Sequence, residues 1–79
     1  MNKILFFTSN WCPTCQDIKQ KLGTKEQVEY VDVEEQVDLA NKYSVRSLPT
    51  AIKLNEAGEI LQETSKPNFI EVLRMLDKA

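Results

Sequence analysis

Two cysteines, Cys12 and Cys15, are the residues of this chain whose type and spacing could best do chemistry. Positions i and i+3 share one face of a helix, so the two sulfurs can close a disulfide with little movement of the backbone. Pro13 follows Cys12 directly, and proline suits the first position of a helix. The pattern therefore predicts a helix that begins at a redox-active pair of thiols.

The two thiols are predicted to differ in reactivity. At the N-cap, the Cys12 sulfur can accept hydrogen bonds from the free N–H groups of Thr14 and Cys15, and the helix dipole favours its thiolate. Cys15 lies on the core face of the helix and lacks that access. We therefore predict that Cys12 attacks a disulfide in a partner protein, here called the client, and forms a mixed disulfide with it. Cys15 then attacks Cys12 and releases the reduced client.

Two other roles for the cysteines are weighed against the redox role. A disulfide that spans so few residues restricts the unfolded chain only weakly, so a purely structural pair is an inefficient staple. The chain has two cysteines and no histidine, so a four-ligand zinc site would need ligands from elsewhere and a histidine-dependent triad is excluded. A structural pair and a metal site stay as alternatives, but we expect neither a metal nor a cofactor.

Trp11, next to Cys12, and Pro49, much later in the chain, each allow two interpretations. Trp11 could belong to the core, but a large aromatic directly before an exposed nucleophile better fits a shield for the thiolate and an apolar contact for a client. Pro49 precedes a segment that resembles a strand, and it is either a turn residue or part of a cis peptide bond. A cis bond would leave neighbouring backbone groups free to pair with an extended peptide.

The remaining segments must position these residues. The apolar run from Lys3 to Thr8 predicts a central strand covered on both faces, and Gly23 provides the stop for the first helix. In the last helix, an apolar stripe of Phe69, Leu73 and Leu76 has Ile70 and Val72 beside it. The predicted elements are a strand at 3–8, a helix at 12–22, a strand at 28–33, a helix from 34 to about 43, strands at 50–54 and 59–62 around a turn at 55–58, and a helix from Pro67.

Length and charge limit the class of protein. The 79 residues are enough for a single domain, expected over 1–79, and the order βαβαββα indicates an α/β fold. Ten basic and twelve acidic side chains give a net charge of −2 without a block of like charge, so we expect no nucleic-acid partner. The longest apolar run, Ile4 to Phe7, is too short for a membrane span or a signal peptide. We expect a monomer in the cytoplasm, without a membrane partner.

Two motifs in this order carry a resemblance to a known family. The segment Trp11-Cys12-Pro13-Thr14-Cys15 and the later Leu48-Pro49-Thr50 are similar to motifs of the thioredoxin and glutaredoxin superfamily, and the resemblance runs from about Lys3 to Leu76. The segments 43–50 and 55–59 resemble those of thioredoxins, whereas the length of the chain resembles that of a glutaredoxin. This combination is similar to small redoxins of bacteria and their phages. The resemblance implies the thioredoxin fold, with a four-stranded mixed sheet flanked by three helices.

The resemblance also implies a function. It implies a cytosolic protein dithiol–disulfide oxidoreductase that needs no cofactor, accepts electrons from a flavoprotein of the thioredoxin reductase type and has disulfide-containing clients such as ribonucleotide reductase. A glutathione-dependent glutaredoxin and a non-catalytic binding module with this fold are the alternatives. The implied substrate-binding residues are Trp11, Pro13, Thr14, Leu48 and a cis Pro49 that faces the cysteine pair.

The chain departs from both branches of the superfamily at informative positions. Thioredoxins carry a buried acid six positions before the nucleophile, where this chain has Phe6, and the lysine that accompanies that acid is replaced by Tyr30. The proton of Cys15 is therefore expected to leave through water or another group. Glutaredoxins carry a Gly-Gly-Asp-like segment before the last helix, whereas this chain reads Thr-Ser-Lys-Pro-Asn-Phe at 64–69. This difference disfavours a glutathione site.

Overall fold

A four-stranded mixed β-sheet with helices on both faces forms the protein in a computed structural model that describes residues 2–77. The sheet order is β2-β1-β3-β4, with β1 parallel to β2 and the other neighbouring strands antiparallel. This architecture confirms the predicted α/β class and its four-stranded mixed sheet. The elements are β1 (Lys3–Thr8), α1 (Pro13–Leu22), β2 (Val28–Asp32), α2 (Val37–Lys42), β3 (Thr50–Leu54), β4 (Ile60–Ser65) and α3 (Phe69–Asp77).

Strand β1 lies at the centre of the sheet, as its apolar run predicts. Its residues from Ile4 to Thr8 are all buried, because helices cover both faces. Ile4 and Phe6 pack with α1 and α3 in one apolar cluster, whereas Leu5 and Phe7 pack with the α2 side in a second cluster. Side chains alternate between the two faces of a strand, so the position of a β1 residue tells which cluster it joins.

Helix α2 is shorter than predicted, because it begins at Val37 and not at Glu34. Asp32 holds the residues after β2 in a turn. Its Oδ1 accepts a hydrogen bond from the Glu34 N–H at 2.8 Å, and its backbone carbonyl accepts one from the Gln36 N–H at 2.8 Å. An aspartate that bonds the backbone two residues on favours a turn over a helix. The acidic residues therefore form a turn that leads into α2.

Helix α3 begins at Phe69, so the prediction of a start at Pro67 was wrong. Asn68 precedes the helix, and its Oδ1 accepts a hydrogen bond from the Glu71 N–H at 2.8 Å. The Glu71 carboxylate accepts in return from the Asn68 N–H at 3.2 Å. This reciprocal pair is a capping box, which satisfies two N–H groups at the helix start.

The face of α3 that meets the core also differs from the predicted stripe. Val72 and Met75 are buried, and Ile70 is exposed. The helix lies over β1 and beside α1, so the residues that point between these elements become the core. The predicted stripe residues, Phe69, Leu73 and Leu76, lie half-buried at its margin.

The predicted hairpin is present, with a longer second strand than expected. Asn55 organises its turn, because its Oδ1 accepts hydrogen bonds from the N–H groups of Ala57 and Glu59, both at 2.9 Å. Gly58 has a φ of 84°, a conformation that favours glycine.

Between residues 2 and 77 we find no helix with the length and apolar character that a membrane crossing requires.

Candidate redox site

The short loop between β1 and α1 positions the cysteine pair. Two hydrogen bonds to Ser9 stabilise this loop. The Ser9 Oγ accepts one from the Trp11 N–H at 3.2 Å, and the Ser9 carbonyl accepts one from the Cys12 N–H at 3.3 Å. Pro13 is the first residue of α1, and Cys12 is its N-cap with extended backbone angles. The redox pair therefore stands at the carboxyl end of a buried strand and at the amino end of a helix.

The two cysteines are joined as a disulfide, and their environments differ. Their Cα atoms are 5.2 Å apart, within the usual range for a bridge. The Cys15 N–H donates a hydrogen bond to the Cys12 Sγ at 3.2 Å, which is one of the two N-cap bonds predicted from the sequence. Cys12 is half-buried, whereas Cys15 is 0% exposed. The more exposed of the two cysteines is thus the one at the helix N-terminus.

The surroundings of Cys15 are apolar. It belongs to the cluster formed by α1, α3 and one face of the sheet, in which Phe6 and Met75 are also buried. A thiol in such surroundings holds its proton more tightly than one at a helix N-terminus. The structure therefore distinguishes a half-buried cysteine from one that is fully buried.

Tyr30 occupies the margin of the same cluster. Its hydroxyl donates a hydrogen bond to the Gly23 carbonyl at 2.5 Å, and the Lys19 Nζ lies 5.3 Å from the centre of its ring. Burial raises the pKa of Tyr30 above its ordinary value, because the phenolate would lose hydration. Tyr30 is thus held as a neutral phenol near neutral pH.

The other predicted site residues differ widely in exposure. Trp11 is 82% exposed, so it is not a core residue, and Pro13 and Thr14 are also exposed. Leu48 is half-buried and packs against the same cluster as Cys12. Pro49 is buried.

The backbone around Pro49 is held from two sides. The Leu48–Pro49 peptide bond is cis. The Pro49 carbonyl accepts a hydrogen bond from the Lys66 N–H at 2.7 Å, and the Thr50 hydroxyl donates to the Ser47 carbonyl at 2.6 Å. The loop before β3 and the segment before α3 therefore meet at Pro49.

Comparisons with known proteins place this site in a family. A family model described as a thioredoxin-like domain matches residues 2–79. The chain belongs to this thioredoxin-like family. Thioredoxin from Bacillus subtilis (strain 168) is 32% identical over 63 residues, which cover 71% of this chain and 60% of that protein. Chloroplastic thioredoxin Y from Oryza sativa subsp. japonica is 38% identical over 53 residues, which cover 58% of this chain and 32% of that protein.

Solved thioredoxin structures share the fold of this family member. The crystal structure of the germline-specific thioredoxin Deadhead from Drosophila melanogaster aligns with a TM-score of 0.81 and 25% identity, over 98% of this chain and 79% of that one. The thioredoxin of Fasciola hepatica aligns with a TM-score of 0.84 at 23% identity, over 98% and 79% of the two chains, which shows the fold alone. The chain spans less than two thirds of the length of the curated relatives it matches.

Two features of this thioredoxin-like site were not among the predicted functional residues. The Asn68–Glu71 capping box had a signal in the sequence, because Asn and Glu stand three positions apart at a helix start. Thr8 had none, because its importance depends on burial: its hydroxyl is enclosed and has no hydrogen-bond partner among residues 2–77. It lines a polar cavity between α1 and β2.

Proposed function

We propose that this thioredoxin-like chain is a dithiol–disulfide oxidoreductase that reduces protein disulfides with Cys12 and Cys15. The observation that carries the proposal is the asymmetry of the pair: the half-buried Cys12 Sγ accepts the Cys15 N–H at the start of α1, while Cys15 is fully enclosed. Positive helix ends and N–H donors favour a thiolate. Membership of the family supports the same activity.

The reaction consists of two thiol–disulfide exchanges. The Cys12 thiolate attacks one sulfur of the client disulfide, whose S–S bond breaks as the other client sulfur leaves as a thiolate and takes a proton from solvent. Cys15 then loses its proton and attacks the Cys12 Sγ, which frees the second client sulfur. The client gains two electrons, and the cysteine pair is oxidised to the disulfide that this structure contains.

The client is proposed to dock on the exposed residues beside Cys12. Trp11 offers a large apolar surface in solvent, and Pro13 and Thr14 extend it along the start of α1. Half-buried Leu48 is proposed to border this surface from the loop before β3, and the buried cis Pro49 to set the path of that loop. Exposed aromatic residues next to a reactive group are typical anchors of protein partners.

A flavoprotein of the thioredoxin reductase type is the proposed electron donor. The rival donor, glutathione, has two carboxylates, which a free helix N-terminus could bind. At α3 the capping box already uses two N–H groups and places the Glu71 carboxylate there. Like charges repel, so this end of α3 is a poor site for glutathione.

The broader setting is proposed from the resemblance. Residues 1–79 are taken as one thioredoxin-like domain that acts as a monomer in the cytoplasm without a bound cofactor. Ribonucleotide reductase is one proposed client, because the resemblance to small redoxins implies that this chain donates electrons to disulfides of such enzymes.

Reduction of insulin by dithiothreitol tests the proposed activity. The protein at catalytic concentration is expected to accelerate the precipitation of the insulin B chain, and Cys12→Ser is expected to abolish the acceleration. A matched variant away from the site, Ile60→Ala, controls for the loss of an exposed side chain. Precipitation no faster than with dithiothreitol alone would favour the non-catalytic binding module.

A further inference from the structure

A groove between α1 and α3, here called the α1–α3 groove, opens next to the start of α1. It has a volume of about 430 Å³, and its α1 wall consists of Thr14, Asp17, Ile18 and Lys21. Thr14 follows Cys12 by two positions and is also part of the proposed docking surface for the client. The groove is therefore continuous with that surface.

The inner surface of the groove is apolar. Ile18 is 2% exposed and belongs to the buried cluster, and Phe69 packs half-buried against the same cluster. Ile70 completes the α3 wall and is 51% exposed. Apolar area that a partner removes from water contributes to binding roughly in proportion to its size. The groove is therefore suited to an apolar side chain.

The charged and polar side chains of the groove already have partners within the chain. The Asp17 Oδ2 and the Lys21 Nζ form an ion pair at 3.2 Å, and the Lys21 Nζ lies 6.0 Å from the centre of the Phe69 ring. Asn68, at the α3 end of the groove, forms the capping box with Glu71. Opposite charges side by side largely cancel, so the groove offers little attraction to a charged ligand.

The client chain is the occupant that the reaction itself brings to the groove. During turnover a client cysteine is joined to the Cys12 Sγ, so its neighbours in the client lie at the start of α1. A helix rises about 1.5 Å per residue, which puts Ile18 about 9 Å from Cys12 along α1. An extended chain advances about 3.3 Å per residue, so a client residue about three positions from the cysteine has the required reach.

We propose that the α1–α3 groove binds an apolar side chain of the client, about three residues from the client cysteine that is joined to Cys12. Ile18 contacts this side chain from α1, and Phe69 and Ile70 contact it from α3. The inference rests on the proposed function and deepens it, because it defines which protein disulfides are preferred. Such binding lowers the KM for the client and adds nothing to the chemistry of the thiols.

Synthetic peptides with one activated cysteine test the groove. Each peptide carries its cysteine as a mixed disulfide with thionitrobenzoate, which is the better leaving group because of its lower pKa. Attack by the reduced protein on the peptide sulfur then releases coloured thionitrobenzoate. The peptides differ only in having phenylalanine, alanine or glutamate three residues before or three residues after the cysteine.

Phenylalanine at one of these positions is expected to raise the rate about tenfold over alanine when the peptide is below its KM. This change corresponds to about 1.4 kcal/mol of binding. Glutamate should give the rate of alanine, because the groove offers no net charge to attract it. Equal rates for phenylalanine and alanine at both positions would overturn the proposal.

Ile70→Gln tests the wall of the groove. Glutamine is a good helix former, so the substitution removes the apolar side chain and preserves α3. The ratio of the phenylalanine rate to the alanine rate should fall from about tenfold to about one. The alanine peptide is measured with every variant, so a loss of folded protein lowers both rates and leaves their ratio unchanged. A ratio that stays near tenfold in Ile70→Gln would overturn the proposal.

Ile60→Gln is the matched control. Ile60 is 49% exposed, almost as much as Ile70, but it lies on β4 in register with Leu54, at the end of β3 farthest from Pro49. Its ratio should stay about tenfold. An equal loss of preference in both variants would show that general surface hydrophobicity selects the peptide.

A trapped complex tests the contact directly. Cys15→Ser lacks the resolving thiol, so it should retain the phenylalanine peptide as a mixed disulfide with the protein. Nuclear Overhauser contacts are expected between the peptide ring and the methyl groups of Ile18 and Ile70. Contacts of the ring with Trp11 or Leu48 alone would place it elsewhere on the docking surface and overturn the proposal.

The outcomes separate this inference from the proposed function. Wild-type protein that releases no thionitrobenzoate from any peptide would refute the proposed function itself, whereas release without a phenylalanine preference would refute the client site alone. Slower reduction of Ile70→Gln by thioredoxin reductase, with an unchanged peptide ratio, would assign the groove to the reductase. A concentration-dependent dimer that Ile70→Gln dissociates, again with an unchanged peptide ratio, would assign it to a second copy of the chain.

Discussion

Phe6 and Tyr30 meet edge to face across β1 and β2, with ring centroids 5.9 Å apart and planes at 83°. The two residues are directly opposite in the parallel register, and both contact the cluster that encloses Cys15. The resemblance to thioredoxins implies an acid and a lysine at these two positions. Phe6 offers no group that can accept the proton of Cys15, so that proton is expected to leave by another route.

The Phe6–Tyr30 contact is expected to stabilise the fold as a pair. Edge-to-face aromatic pairs contribute about 0.5–1.5 kcal/mol beyond the area they bury. A double-mutant cycle of Phe6→Leu and Tyr30→Leu, followed by urea unfolding, should therefore give a coupling free energy in that range. Free energies of unfolding that simply add would contradict a direct ring contact.

Tyr30 is also expected to make the stability of the protein sensitive to alkaline pH. Burial raises its pKa in the folded state above the ordinary value of 10.0, which the unfolded chain retains. The folded state then binds the proton more tightly, so this contribution is complete below pH 10.0 and is lost as pH rises toward the folded pKa. The hydrogen bond to the Gly23 carbonyl disappears with the phenol proton.

Tyr30→Phe isolates this effect from the other groups that titrate in alkali. The free energy of unfolding of the wild type should decline more steeply above pH 10.0 than that of the variant. Ultraviolet difference spectra of the phenolate follow the titration directly. Parallel curves for the two proteins would mean that Tyr30 titrates as it does in the unfolded chain.

Local signals explain which elements were predictable from the sequence. The bounds of α1 follow from Pro13 and Gly23, and those of β1 from an apolar run with no polar interruption. The starts of α2 and α3 were misplaced, because side chains of Asp32 and Asn68 redirect the backbone there. Such competition between a local side chain and a helix depends on geometry that composition alone does not contain.

The redox pair itself could be predicted, but its surroundings could not. Pro13 and the spacing of Cys15, Ile18 and Leu22 predict Cys12 at a helix start and Cys15 on the core face, as the structure has them. The polar cavity lined by Thr8 and Asp32 depends on the register of β1 against β2 and on how α1 lies over both strands. Those relationships join residues that are distant in sequence, so no local pattern reveals them.

The two cysteines are expected to react in a fixed order. Iodoacetamide should alkylate Cys12 first at neutral pH, because thiols at helix N-termini have pKa values lowered to roughly 3.5–7.5 while Cys15 is enclosed. Peptide mass spectrometry of the reduced protein identifies the labelled residue. Cys15→Ser should accumulate a mixed disulfide with a client, whereas Cys12→Ser should form none. Labelling of Cys15 before Cys12 would reverse their assigned roles.

Trp11 is expected to contribute to client affinity and not to the chemistry of the thiols. Its side chain is 82% exposed, so Trp11→Ala removes contact area without opening the core. The KM for a protein disulfide should rise about tenfold, the effect of losing one interface anchor of roughly 1.4 kcal/mol. The rate with Ellman's reagent, which is too small to use that surface, should stay unchanged.

Ile60→Ala is the matched control for Trp11→Ala. Ile60 is also exposed but lies in register with Leu54, at the end of β3 farthest from Pro49. Its loss should leave the KM for the protein client unchanged. Equal effects of the two substitutions would show that general surface hydrophobicity, and not a docking site at Trp11, governs client binding.

The source of electrons is expected to be a flavoprotein, since the start of α3 is closed to glutathione by the Asn68–Glu71 capping box. NADPH oxidation is followed with the oxidised protein as acceptor, once with thioredoxin reductase and once with glutathione and glutathione reductase. The first system should be faster. Glu71→Gln keeps a side-chain oxygen for the cap and removes the negative charge, so it should raise the glutathione rate if that charge repels the ligand. Faster turnover of the wild type with glutathione would favour the glutaredoxin alternative.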